Sequence, residues 1–395
     1  MLKKLANYIG IGKIGWLELI IAIYPILAGY GYGIFKLSFG ILFILDAIIL
    51  FRYNRKSMGI PLKALFAFLV IHDLLFMAVI PEIPSYYINS LIVTIIYISS
   101  IFIIAPQLDF NKLKSAIYIV SIVCMGGMIY HVLLLSQGMM VSPIKVPFLP
   151  DMQEMSRLFS INGRPSSFFW EPQSYASFML VPLYLTLRER KLLFAFIIAI
   201  TMFLSTSTTG LILSVLMIIT SSVFKRGEWF SKFLGFVVVI SLLYFLMYSS
   251  YTVDSLEKLE NTNLGESNRI INGYLVVTDL NFFDFLLGIP FPNEQYAYDN
   301  GYFHVPLIVM ADGVLFISAI WISLIRYGII GLLLFLYPYY WVYKQDSKIL
   351  PYLLCVVLVL FSNPDFISSP YVFQFLIMLA IVAYDKKMNI PISMN

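Results

Sequence analysis

The chain has 395 residues, 60% of them hydrophobic and only 12% charged, with a formal net charge of +4. Its mean hydropathy is +0.86, whereas a water-soluble domain carries roughly 25% charged residues. Too little polar surface is present to face water, which excludes a soluble globular domain, and the small net charge gives no reason to expect a nucleic-acid partner.

The N-terminus bears Lys3, Lys4 and Lys13, then an apolar run over 14–32. A cleavable signal would have a shorter apolar core and a small-residue cleavage site, so this run is expected to be a retained helix. Spanning helices need roughly 20 apolar residues. Further candidate spans follow at 37–51, 61–79, 88–105, 115–135, 174–187, 192–205, 208–224, 233–249, within 313–343, at 349–362 and at 371–384. The set of about 12 predicts an all-α integral membrane protein with a single polytopic domain over 1–395.

With the N-terminus in the cytoplasm and strict alternation, only Lys36, Lys145, Arg157, Arg164, Lys258, Arg269 and Arg326 of the 26 basic residues fall outside. That asymmetry follows the positive-inside rule and puts both termini in the cytoplasm. Cys124 and Cys355 lie within apolar runs, away from any Cys/His cluster, so neither a disulfide nor a metal centre is expected.

Two extracytoplasmic loops are long, over 136–173 and 250–312. Trp, Phe, Tyr and Pro throughout them argue for short interfacial helices rather than disorder. Ionisable groups collect there, so chemistry on polar substrates is expected on that face. In the first loop the segment Gly163-Arg164-Pro165-Ser166-Ser167-Phe168-Phe169-Trp170-Glu171-Pro172-Gln173-Ser174-Tyr175-Ala176 runs into an apolar helix. Pro172 suits a helix start, and Glu171 before it complements the helix dipole. Glu171 is thus either a capping charge or a working carboxylate. Arg164 is either a solvated loop residue or an anion ligand, since a guanidinium grips phosphate oxygens bidentately.

The second loop carries Ser267-Asn268-Arg269-Ile270-Ile271-Asn272-Gly273-Tyr274 and Phe285-Leu286-Leu287-Gly288-Ile289-Pro290; Ile325-Arg326-Tyr327-Gly328-Ile329-Ile330-Gly331 follows at the start of a helix. Ionisable residues also fall inside the spans: Glu18, Asp46, His72, Asp73 and His131. Each is either functional or part of a buried pair that locks two helices.

The order of the 164–176 segment, Ser205-Thr206-Ser207-Thr208-Thr209-Gly210, an Arg-bearing loop, Leu286-Leu287-Gly288-Ile289-Pro290 and Tyr327-Gly328-Ile329-Ile330-Gly331 resembles the O-antigen polymerase and ligase superfamily. The likeness covers roughly 155–343 and the overall topology. It implies a GT-C-like membrane glycosyltransferase of the bacterial inner membrane, acting on a glycan carried by undecaprenyl diphosphate at the outer leaflet. No cofactor is implied, neither metal nor nucleotide, because the sugar–phosphate bond is already activated. Arg164 and Arg269 would hold the diphosphate, converging from separate loops, and Glu171 would accept a hydroxyl proton or bind a sugar hydroxyl. Arg157, Arg326, His304 and Tyr175 are the further candidates for substrate contacts, with snorkelling at a helix end the competing reading for Arg326. Ligases carry a His-Asn pair where this chain has Ile317-Ser318, which favours a polymerase joining repeat units of O-antigen, capsule or exopolysaccharide. A ligase and a lipid-linked-oligosaccharide flippase are the alternatives. The expected partners are the lipid-linked oligosaccharide, the bilayer and a chain-length regulator.

Overall fold

A computed structural model describes residues 8–32, 35–52, 60–80, 85–150, 152, 164–223, 269–291, 294–302, 304, 317–363 and 366–389. The expected span at 233–249, Arg157, the side chain of Arg269 and much of both long loops lie outside the described residues.

The regular structure of the described residues is helical apart from one hairpin of two two-residue strands. Its helices are α1 (Trp16–Leu27), α2 (Leu37–Arg52), α3 (Ile60–Val79), α4 (Ser85–Ile104), α5 (Phe110–Ser136), α6 (Pro172–Arg188), α7 (Leu192–Leu204) and α8 (Thr208–Val223). There follow α9 (Arg269–Asp279), α10 (Phe282–Leu287), α11 (Glu294–Asp299), α12 (Ala319–Gln345), α13 (Leu350–Ser362) and α14 (Ser369–Asn389). Strands β1 (Gly31–Tyr32) and β2 (Phe35–Lys36) join α1 to α2.

Among the described residues four helices are long and apolar enough to cross a membrane: Leu62–Val79, Tyr87–Gln107, Phe110–Ser136 and Ala319–Gln345. Five more apolar helices have 10 to 17 residues. Phe51, Leu75, Val79, Leu133 and Leu193 stand exposed on the outside of the bundle, as side chains that face hydrocarbon would. The centre is α6, which is buried from Tyr175 to Leu187 without interruption. A helix apolar all round belongs in the middle of a bundle.

Local chemistry sets the helix ends. Asp109 caps α5, its carboxylate accepting from the N–H groups of Asn111 and Lys112. Pro172 opens α6 with Glu171 in the N-cap position. At the other end of α6, Glu189 binds Lys114 at 2.5 Å and also pairs with Lys191. Burial pushes the Glu189 carboxyl up, but those two lysines outweigh it and hold it below the ordinary glutamate range. Arg188 pairs with Asp385 on α14, and Glu18 on α1 accepts from the Asp109 N–H at 3.0 Å. These bonds tie the ends of α5, α6 and α14 together at one end of the bundle.

Segment 282–291 is docked against α3 and α12. Nε2 of His72, midway along α3, donates to the Leu287 carbonyl at 2.8 Å, and the Ile289 N–H donates to the Ile325 carbonyl at 2.9 Å. Backbone groups packed against other helices must find protein partners. The docking uses two glycines in left-handed conformation, Gly288 at φ +85° and Gly328 at φ +66°, the latter breaking α12. A Cβ on Gly288 would lie 2.7 Å from the Tyr327 nitrogen, and one on Gly328 would lie 2.7 Å from the Gly288 nitrogen. Both motifs that carried the family likeness in this region are therefore the two halves of one backbone contact.

Candidate functional site

A cavity of about 690 Å³ lies at the end of the bundle opposite the Glu189 cluster. It is bounded by the C-terminal end of α1, the N-terminal halves of α2, α4, α6, α12 and α14, and Asn363 after α13. Its charged lining residues are Lys36, Glu171 and Arg326; Asn89, Ser90 and Gln374 add amide and hydroxyl groups, and Phe39, Trp170 and Phe366 add aromatic faces. A pocket both apolar and polar, with a few charges at fixed points, suits an amphiphilic ligand.

Arg326 is the best-defined group in the cavity. Nη2 donates to Asp73 at 2.7 Å and Nη1 to Ser90 at 2.9 Å, while its Nε–H meets no acceptor among the described residues. The guanidinium lies 5.0 Å from the ring centroids of both Tyr87 and Tyr327. The Tyr327 hydroxyl donates to the same Asp73 oxygen at 3.2 Å, and Tyr87 to the other at 3.4 Å. Only 7% of Arg326 is exposed. Snorkelling is therefore the wrong reading: the side chain turns inward because Asp73, fully buried on α3, needs a cation.

The loop before α6 is held by its own backbone. The N–H groups of Ser166 and Ser167 both donate to His131 Nδ1 at 3.3 Å, which fixes the neutral ring with its proton on Nε2. The Ser167 hydroxyl donates to the Cys124 carbonyl at 2.8 Å. These bonds carry Trp170 and Glu171 to the cavity wall. Ser174 donates to the Glu171 carboxylate at 3.3 Å.

Arg164 stands beside the cavity. It donates to the Thr206 carbonyl at 2.5 Å and to the Thr206 hydroxyl at 3.3 Å, in the turn between α7 and α8. Thr206 takes a left-handed φ of +54° there. Arg164 and Glu171 share a small recess next to the cavity. Burial lowers the Arg164 guanidinium below its ordinary range, and the Glu171 carboxylate opposes that shift.

Tyr175 does not line the cavity. It is fully buried in the core, ring centroid 5.8 Å from that of Phe169, because it falls on the inner face of the first turn of α6. His304 is exposed, contacts Asp279 at the end of α9 and is not among the residues that line the cavity. Arg269 opens α9. Sequence reasoning overlooked Asn89, Ser90 and Gln374. The available signal was a polar residue inside an apolar run, as for Gln374 in the span at 371–384. Lys36 was visible only as one of the outer basic residues.

No family model, no curated protein and no solved structure matches this chain.

Proposed function

We propose that the chain is a membrane glycosyltransferase that joins oligosaccharide repeat units carried on undecaprenyl diphosphate, a polysaccharide polymerase of the bacterial inner membrane. In this reading the chain has about a dozen spans in a GT-C-like arrangement, and the cavity opens at the extracytoplasmic end. The observation that carries it is the cavity itself: Lys36 and Arg326 share one pocket with the Glu171 carboxylate and with Trp170 and Phe366. Such a lining answers a ligand with an anionic head, a sugar and an apolar tail.

The reaction balances without an external reagent. A hydroxyl oxygen of the acceptor glycan attacks the anomeric carbon of the donor. The bond from that carbon to the phosphate oxygen breaks, and undecaprenyl diphosphate leaves with the electron pair. The hydroxyl proton passes to Glu171. Lys36 and Arg326 face the charge growing on the leaving oxygen, and a donor preorganised for that charge lowers the barrier more than it stabilises the ground state. Arg164 holds the Glu171 recess in place against the Thr206 turn. The family likeness implies Arg164 and Arg269 as the diphosphate ligands; of these Arg269 is kept as a phosphate ligand in this reading, beside Lys36 and Arg326.

The test is a purified preparation of the full chain given a defined undecaprenyl-diphosphate repeat unit. A ladder of products is expected. Glu171→Gln and Arg269→Ala should each slow ladder formation roughly 100- to 1,000-fold. Absence of any ladder with folded wild-type protein, or full activity in both variants, overturns the assignment.

A further inference from the structure

Three buried polar side chains on the cavity wall make no hydrogen bond among the described residues: Gln374 on α14, Ser177 on α6 and Thr94 on α4. They are 3%, 6% and 5% exposed. A hydroxyl inside an apolar helix ordinarily bonds a carbonyl three or four residues back. Thr186, Thr201, Ser214 and Thr220 all do so in this chain, whereas Ser177 and Thr94 do not. Gln374 lies in a stretch of α14 that is buried without interruption from Tyr371 to Val382. The open space its amide meets is therefore the cavity that it lines. An unpaired amide among apolar side chains is costly, so its presence calls for a partner that the chain itself does not supply.

Packing brings these groups to one part of the cavity. Phe178 and Phe373 stack at 5.7 Å, so their chain neighbours Ser177 and Gln374 stand at the same level of α6 and α14. Phe169 packs on Phe178 at 5.4 Å, and all three rings line the cavity. The hydrogen bond between the Tyr97 hydroxyl and Ser369 at 3.1 Å ties α4 to the first turn of α14, and Thr94 lies one turn before Tyr97. Glu171, Ser174 and Ser177 recur at every third position and all line the cavity. Ser177 is thus about 9 Å further along α6 than Glu171. The result is a neutral recess with hydrogen-bonding groups on three helices and an aromatic wall.

The geometry points to an acetamido group as the occupant: this recess selects an N-acetylated sugar of the lipid-linked glycan, with Gln374 and Ser177 as its specificity-determining residues. The N–H and C=O of a trans secondary amide point in opposite directions, so they need an acceptor and a donor from different walls. Gln374 offers both from α14, and the hydroxyls of Ser177 and Thr94 offer either from α6 and α4. The methyl group meets the rings of Phe178 and Phe373. A bare sugar hydroxyl presents one oxygen, which does not bridge opposite walls, and it has no methyl for the rings. The inference rests on the proposed function and adds which sugar substituent the cavity reads.

Undecaprenyl diphosphate N-acetylglucosamine and undecaprenyl diphosphate glucose test it. The two probes share lipid, diphosphate and ring, and differ at one substituent. Wild-type full-length protein should bind the acetamido probe roughly tenfold more tightly, the worth of one or two hydrogen bonds at a buried group. Gln374→Leu and Ser177→Ala should each cut that ratio below about threefold. Ser214→Ala, which removes a hydroxyl bonded within its own helix and away from the cavity, should leave the ratio unchanged. Without ligand, Gln374→Leu should melt no lower than wild type, because no bond is lost; a clear drop would make the amide structural and overturn its assignment. Equal affinity for the two probes in wild type, or an undiminished ratio in both folded variants, would overturn the acetamido recess alone. Failure to bind either probe would overturn it together with the proposed function.

Discussion

Asp73 is the residue on which most of the cavity's order depends. Alone in a span, a carboxylate is costly, and the sequence made that cost visible. What it hid was the partner. Arg326 lies 253 positions further on, and nothing in periodicity or composition pairs two charges over such a distance. The adjacent His72 is the natural guess, and its Nδ1 does stand 3.6 Å from Asp73. Its Nε2, however, is spent on the Leu287 carbonyl. Glu171 was legible as a helix-starting carboxylate, whereas the inward turn of Tyr175 was not, since a helix wheel cannot tell core from cavity. Removing one member of a buried ion pair leaves the other uncompensated, at about 3–5 kcal/mol. Asp73→Asn should therefore lower thermal stability steeply, and Asp73→Asn with Arg326→Gln should cost clearly less than the two single changes added. A double-mutant cycle by thermal denaturation in detergent reads this directly, and additivity would contradict the pairing.

At the scale of elements, apolar run length carried most of the information. The apolar runs at 37–51 and 174–187 coincide closely with helices α2 and α6, because an apolar run that packs in a core satisfies its backbone most readily within one helix. The run within 313–343 was read as one stretch, and the break at Gly328 escaped notice. A φ of +66° leaves no trace in hydropathy. It is imposed by a second segment, 282–291, that approaches backbone to backbone. Gly301 provides the contrast, since it shares a positive φ of +70° but has open space where a Cβ would stand. Gly301→Ala should cost only the conformational penalty, about 1–2 kcal/mol. Gly328→Ala and Gly288→Ala add a backbone clash and should abolish the docking. Proteolysis of purified protein near 282–291 is the measurement: sensitivity in the Gly328 and Gly288 variants but not in the Gly301 variant is the expected result.

Across the whole molecule, the two ends of the bundle differ in kind. One is stapled by the Glu189, Lys191 and Arg188–Asp385 pairs, and the other opens into the cavity beside Lys36. The positive-inside count predicts a cytoplasmic location for the stapled end. Cys124 and Cys355 are buried, so an impermeant maleimide has no native target to confuse the result. In spheroplasts, Lys36→Cys should label from outside, and Lys348→Cys only after permeabilisation; the reverse pattern would invert the topology. The docked segment 282–291 also bears on how the chain is assembled. Ribosomes deliver Ile289 well before Ile325, whose carbonyl receives its N–H. Until α12 is made, the Ile289 N–H lacks the acceptor it has in the folded chain. Docking of this stretch is therefore a late step, and a chain truncated before α12 leaves it undocked.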